Sequence, residues 1–141
     1  MEKFLEIKKN KLGIGTWKMG EIPKNKNEEI ASIRYALENG IRLIDTAEMY
    51  GNGNSEKLIA ESIKDFDREK LYLVSKVLPS NAGEKNIFKS CENSLKNLNV
   101  DYLDLYLLHW RGSIPFEETI RCMEKLKKEG KIKNWGVSNM D

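Results

Sequence analysis

The stretch Tyr102-Leu103-Asp104-Leu105-Tyr106-Leu107-Leu108-His109 decides the fold class. From Leu103 to Leu108 it is nearly continuously apolar. Strands covered on both faces read this way, as in parallel sheets. Working outward, similar short runs stand at residues 11–16, 41–46, 71–77 and 132–138. They recur about every 30 residues, the size of one βα unit.

Helical patterns fill the intervals. Ile30, Ile33 and Leu37 fall on one face, with Asn27 placed to cap, Glu28 and Glu29 at the positive end, and Gly40 to stop the helix. A second helix starts near Ser55 and aligns Leu58, Ile59, Ser62 and Ile63. A third aligns Phe88, Cys91, Leu95 and Leu98. A fourth opens with Pro115 at its first position, carries Phe116, Ile120, Met123 and Leu126, and ends before Gly130. This alternation specifies a parallel α/β fold. A doubly wound sheet and a barrel both satisfy it. A closed (β/α)8 TIM barrel takes eight strands and about 250 residues. The 141 residues supply four βα units and a fifth strand, so the expectation over residues 1–141 is the N-terminal part of a barrel, truncated before its C-terminal units.

Composition narrows the function classes. The chain is 40% hydrophobic and 33% charged, a foldable balance. Its 24 basic and 22 acidic residues leave a net charge of +2, with no footprint for nucleic acid or an anionic membrane. The densest lysines, Lys125, Lys127, Lys128, Lys131 and Lys133, are interrupted by Glu124 and Glu129 and read as a solvated helix face and its exit. No apolar run approaches the roughly 18–20 residues of a membrane helix, and Met1 to Glu6 lacks the apolar stretch of a signal peptide. Cys91 and Cys122 lie far apart inside helical patterns, as buried thiols do. His109 is the one histidine, which excludes a multi-histidine metal site. The expected compartment is the cytoplasm.

Parallel α/β folds keep their chemistry at the carboxyl ends of strands. There, three consecutive strands each present an ionisable group: Asp45, Lys76 and His109. Tyr50 follows Asp45 in the loop over the same end. An unpaired ammonium inside an apolar strand is costly, so Lys76 calls for a counter-ion, and Asp45 is the natural one. A buried pair that only sets strand register is the plain alternative. Tyr50 and His109 on the same rim favour chemistry. A nearby ammonium makes a phenol a better acid, an imidazole can polarise a carbonyl oxygen, and a bound nicotinamide can deliver hydride to the carbonyl carbon.

The ordered set Asp45-Thr46-Ala47-x-x-Tyr50-Gly51-Asn52-x-x-Ser55-Glu56, Ser75-Lys76, Leu108-His109 and Gly136-Val137-Ser138-Asn139 resembles the aldo-keto reductase pattern. Gly13-Ile14-Gly15-Thr16-Trp17 is similar to that family's first strand and loop, and the segment from Ser94 to Tyr106 to its run into the fourth strand. The resemblance implies NADPH-dependent reduction of a small aldehyde or ketone, with NADH as the alternative cofactor. It implies Tyr50 as general acid, tuned by Lys76 paired with Asp45, and His109 as the group that positions the carbonyl. Ser138 and Asn139 would hold the nicotinamide carboxamide, with Thr16, Trp17 and Asp45 also toward the cofactor. Trp17 and Trp110 would line the substrate mouth with Tyr50 and His109.

Two departures stand out. Arg111-Gly112 follows the histidine where many family members have proline. The family's adenosine-phosphate loops belong to later units, and Gly13-Ile14-Gly15 followed by Gly20 misses the Rossmann spacing. The expectation is therefore a chain complete in acid-base residues and poorly active alone. An open arc would leave Ile44, Val74, Leu105, Leu107 and Val137 wet and drive homo-oligomers. The competing reading is a non-catalytic module of the same fold that oligomerises or binds a protein partner.

Overall fold

Apolar runs separated by amphipathic helices fold into a right-handed βα series, because a right-twisted strand feeding a helix packs back onto its sheet only that way. A computed structural model describes residues 11–140 of the protein. The segment Met1 to Glu6 discussed above lies outside the described residues. Five strands, β1 (Gly13–Gly15), β2 (Leu43–Asp45), β3 (Tyr72–Val77), β4 (Leu103–Leu108) and β5 (Ile132–Val137), pair in parallel in the order β1-β2-β3-β4-β5. Four helices alternate with them: α1 (Lys26–Glu38), α2 (Asn54–Ile63), α3 (Ile87–Leu98) and α4 (Phe116–Lys128). A doubly wound sheet reverses its strand order. Sequential order does not, and it makes this sheet part of a (β/α)8 barrel wall.

Period-two alternation splits each strand between two environments. Ile44, Leu73, Val77, Tyr106 and Leu108 point outward into one core shared with Ile33, Leu37, Ile59, Cys91, Leu98, Met123 and Leu126 of the helices. Asp45, Val74, Lys76, Leu105 and Leu107 take the opposite, inner face, with Asp45 registered on Val74 and Lys76 on Leu107. The alternation corrects the expected wet set. Ile44 is outward and fully buried, and Val74 is 4% exposed. Val137, registered on Leu108, is outward too and 41% exposed. Leu105 and Leu107 remain as half-buried inner side chains.

Several local expectations shift for physical reasons. Lys11 has φ 54, a left-handed bend, so β1 begins two residues later than expected. Asn27 does not cap α1: a 3-10 turn, Pro23–Asn25, runs directly into the helix, Asn25 stands at the cap, and its side chain makes no capping bond. Glu29 accepts Gly20 N at 2.8 Å instead of serving only the helix end. Pro115 sits at the cap of α4 with extended ψ 134, one residue before the first helical position. Gly40 and Gly130 end α1 and α4 with φ 93 and 77, a conformation that glycine adopts without a Cβ penalty. No helix among the described residues is long and apolar enough to cross a membrane.

Candidate active site

The ladder carries on past the strand ends and fixes the loops above them. Thr46 N donates to Val74 O, Glu48 N to Lys76 O, His109 N to Val77 O and Ser138 N to Leu108 O. The carboxyl ends of β2 to β5 are thereby tied edge to edge.

Lys76 points into the inner face, where its ammonium would be unhydrated. Its Nζ donates to Asp45 Oδ2 at 2.7 Å and to Thr46 O at 2.9 Å. Two of its three protons are thus committed. The pair is asymmetric: the lysine side chain is 7% exposed and the aspartate 35%. Water can rehydrate Asp45 far more readily than Lys76.

Tyr50 brings its ring to 5.2 Å from Lys76 Nζ. The backbone after it turns left-handed three times running, with φ 54 at Gly51, 52 at Asn52 and 91 at Gly53, before α2 begins. The Tyr50 ring meets His109 edge-on, with centroids 5.7 Å apart and planes at 78°. His109 also packs against Trp110, with ring centroids 4.7 Å apart and planes at 60°. Burial first, and the Lys76 charge second, hold the His109 imidazole below its usual range, with Asp45 opposing. His109 Nδ1 is buried without a hydrogen-bond partner. A bare buried lone pair costs less than an orphaned N–H, so a proton on Nε2 is the tautomer of the neutral ring that suits this position.

The other predicted residues surround this cluster. Asn139, at φ 51, donates from Nδ2 to His109 O at 3.0 Å and to Ser138 Oγ at 3.1 Å. Its Oδ1 and the Ser138 hydroxyl proton remain to engage a carboxamide, which needs one acceptor and one donor, so these two side chains fit a nicotinamide amide. A Cβ at Gly15 would meet nothing within 4 Å, so the inner face beside Asp45 is open. Thr16 is fully buried and its hydroxyl is committed to Asp45 O at 3.0 Å, so it braces the aspartate's strand. Trp17 is 67% exposed under the Lys18 ammonium, and with Met49, Trp110 and Met140 it gives the rim an exposed apolar character. No group of three His, Cys, Asp or Glu among the described residues could hold a metal ion.

Two acids that the sequence reading assigns no role shape this region, although Glu56 stands in the motif that carries the family resemblance. Glu48 reaches across to the loop after β3, accepting Leu78 N at 2.7 Å and Asn81 Nδ2 at 3.1 Å. Glu56 is fully buried between α2, α3 and β3, accepting Ser75 Oγ at 2.9 Å and Asn97 Nδ2 at 3.3 Å. Burial pushes its carboxyl above the usual range, against the nearby polar groups of Ser94, Ser75 and Asn97 that lower it. Its helical spacing to Ile59 and Ile63 was the available signal.

Ionisable groups gathered at the carboxyl ends of a sequential parallel wall are the arrangement of barrel-type α/β proteins that work at that rim. The chain belongs to the aldo/keto reductase family, whose family model matches residues 11–141. Among its most similar relatives is methylglyoxal reductase YeaE of Escherichia coli, 55% identical over 130 residues, which cover 92% of this chain and 45% of that protein. Glyoxal reductase of Bacillus subtilis is 42% identical over 129 residues, covering 90% and 44%. Among solved structures, an aldo/keto reductase from Klebsiella pneumoniae in complex with NADP and acetate superposes with TM-score 0.89 at 50% identity, over 92% of this chain and 45% of that one. The chain thus spans about half the length of the relatives it matches.

Proposed function

We propose that the chain supplies the acid-base half of an NADPH-dependent reductase of small aldehydes and ketones, with α-oxoaldehydes such as methylglyoxal among the substrates. The observation that carries this reading is the convergence of Lys76, Asp45, Tyr50 and His109 within one cluster at the strand ends. The nicotinamide, when bound, supplies hydride to the carbonyl carbon. Ser138 and Asn139 hold its carboxamide, on the chemistry of the two groups they leave available. His109 Nε2–H orients the carbonyl oxygen by donating a hydrogen bond. Tyr50 gives that oxygen a proton as charge develops on it, and the Lys76 ammonium stabilises the phenolate left behind. Asp45 holds the Lys76 ammonium in place. Trp17 and Trp110 form an apolar mouth that suits small, uncharged carbonyl compounds. NADPH is preferred to NADH in this reading because the Klebsiella relative is described with NADP. A cytoplasmic setting fits two buried free thiols, Cys91 and Cys122.

Among the described residues, β1 and β5 each present one edge without a strand partner. Such edges template pairing with other chains. The 141-residue chain on its own is therefore proposed to self-associate and to reduce carbonyls poorly. The test assays NADPH consumption with methylglyoxal by the chain alone and by the chain joined to the C-terminal half of the Escherichia coli relative. Turnover by the joined barrel, lost on His109→Ala, supports the reading. A folded joined barrel that binds NADPH and reduces no carbonyl refutes it.

A further inference from the structure

The rim loops after β2, β3 and β4 are fastened side by side, and Glu48 is the fastening nearest Tyr50. The loop from Asp45 to Tyr50 has few bonds of its own: Tyr50 N reaches Ala47 O at 3.2 Å, and Asn52 N reaches Met49 O at 3.1 Å. It leads into three left-handed residues, of which Asn52 has a Cβ. Such a turn persists when its surroundings hold it. Glu48 supplies that hold from both ends of its residue. Its backbone N donates to Lys76 O at 3.2 Å, and its Oε1 accepts Leu78 N at 2.7 Å and Asn81 Nδ2 at 3.1 Å. A bond to an ionised acceptor is roughly twice as strong as a neutral one. The 3-10 turn it grips, Pro79–Asn81, is pressed in turn against Gly112, where an added Cβ would lie 2.5 Å from Pro79 Cβ. Gly112 follows Trp110 by two residues in the loop that carries His109.

We infer that Glu48 is the positioning residue for Tyr50: its carboxylate, by gripping Leu78 N and Asn81, sets the distance between the Tyr50 ring and His109. This rests on the reading of Tyr50 as the proton donor. The latch is tested without turnover, by NMR of the chain carrying labelled tyrosine and histidine rings, with the Tyr50 signals assigned by their loss in Tyr50→Phe. Wild type is expected to show a cross-peak between Tyr50 and His109. Glu48→Ala is expected to lose it and to broaden the Tyr50 signals. Glu48→Gln, which keeps an acceptor oxygen, is expected to restore most of it, and Asn81→Ala to weaken it in part. The Tyr106 signals, from a fully buried ring on the opposite face, report that each variant is folded.

An unchanged cross-peak in folded Glu48→Ala overturns the inference, as does a wild-type chain that lacks the cross-peak. If Glu48→Ala loses the Tyr106 signals, Asn81→Ala decides: a weakened cross-peak upholds the latch and an unchanged one overturns it. Turnover that survives Tyr50→Phe would remove the catalytic reading and leave the latch standing.

Discussion

Lys76 Nζ lies 2.7 Å from Asp45 Oδ2 across two neighbouring strands, with the lysine sealed and the aspartate partly open to water. That difference in exposure makes the two halves of the pair unequal. Asp45→Asn strands a buried ammonium, whereas Lys76→Met leaves an aspartate that water can reach. Breaking a fully buried pair costs roughly 3–5 kcal/mol. With Asp45 partly solvated, Asp45→Asn is expected to lose about 2–3 kcal/mol. Lys76→Met is expected to lose clearly less. Urea melts of the two variants check this, and equal losses would contradict the asymmetry.

Glu56 gives stability a dependence on pH from outside the strand-end rim. Burial raises its folded pKa above the ordinary 4.5, so the native state binds a proton that the unfolded state releases. Its contribution is fully present below about 4.5 and is lost as pH rises through the folded value. Glu56→Gln removes that titration. The variant is expected to gain melting temperature relative to wild type as pH rises from the acid side toward neutrality. Parallel curves of melting temperature against pH for the two proteins would contradict it.

His109 works in the opposite sense. Its folded pKa lies below 6.5, so the unfolded state binds the proton first as pH falls. Its contribution is present above 6.5 and is lost as pH drops toward the folded value. His109→Asn is expected to flatten the acid limb of the stability curve in that window. An acid limb identical to wild type would mean that the ring is hydrated rather than buried beside Lys76.

The two strand edges carry a prediction about size. Sedimentation of the isolated 141-residue chain is expected to show dimers or larger species, growing with concentration. A charged substitution on an edge strand, such as Val137→Lys, is expected to reduce them. A single monomeric boundary at all concentrations would contradict this.

The barrel-type wall and its rim were legible because their signals are periodic or chemical. Apolar runs about one βα unit apart give the strands, and an ionisable group closing each of three successive runs gives Asp45, Lys76 and His109. Strand facing was less legible. Apolar character alone puts Ile44 and Val74 together on the inner face, whereas alternation counted from Asp45 turns Ile44 toward the helices. Asn27 had the chemistry of a cap, but the 3-10 turn before it had already started the helix. Glu48 and Glu56 were hidden for a different reason. Each owes its role to partners distant in sequence, Leu78 and Asn81 for one and Ser75 and Asn97 for the other, and local pattern carries no such pairing.

We propose Tyr50 as the proton donor of a carbonyl reduction, and Tyr50→Phe isolates that role because it removes only the hydroxyl. Turnover of methylglyoxal and NADPH affinity, read by quenching of tryptophan fluorescence, are to be measured side by side in the barrel completed with the C-terminal half of the Escherichia coli relative. A general acid contributes about 10²- to 10⁴-fold. In Tyr50→Phe, kcat is expected to fall by at least about 10²-fold while NADPH affinity stays within about twofold. Undiminished turnover in Tyr50→Phe would contradict it.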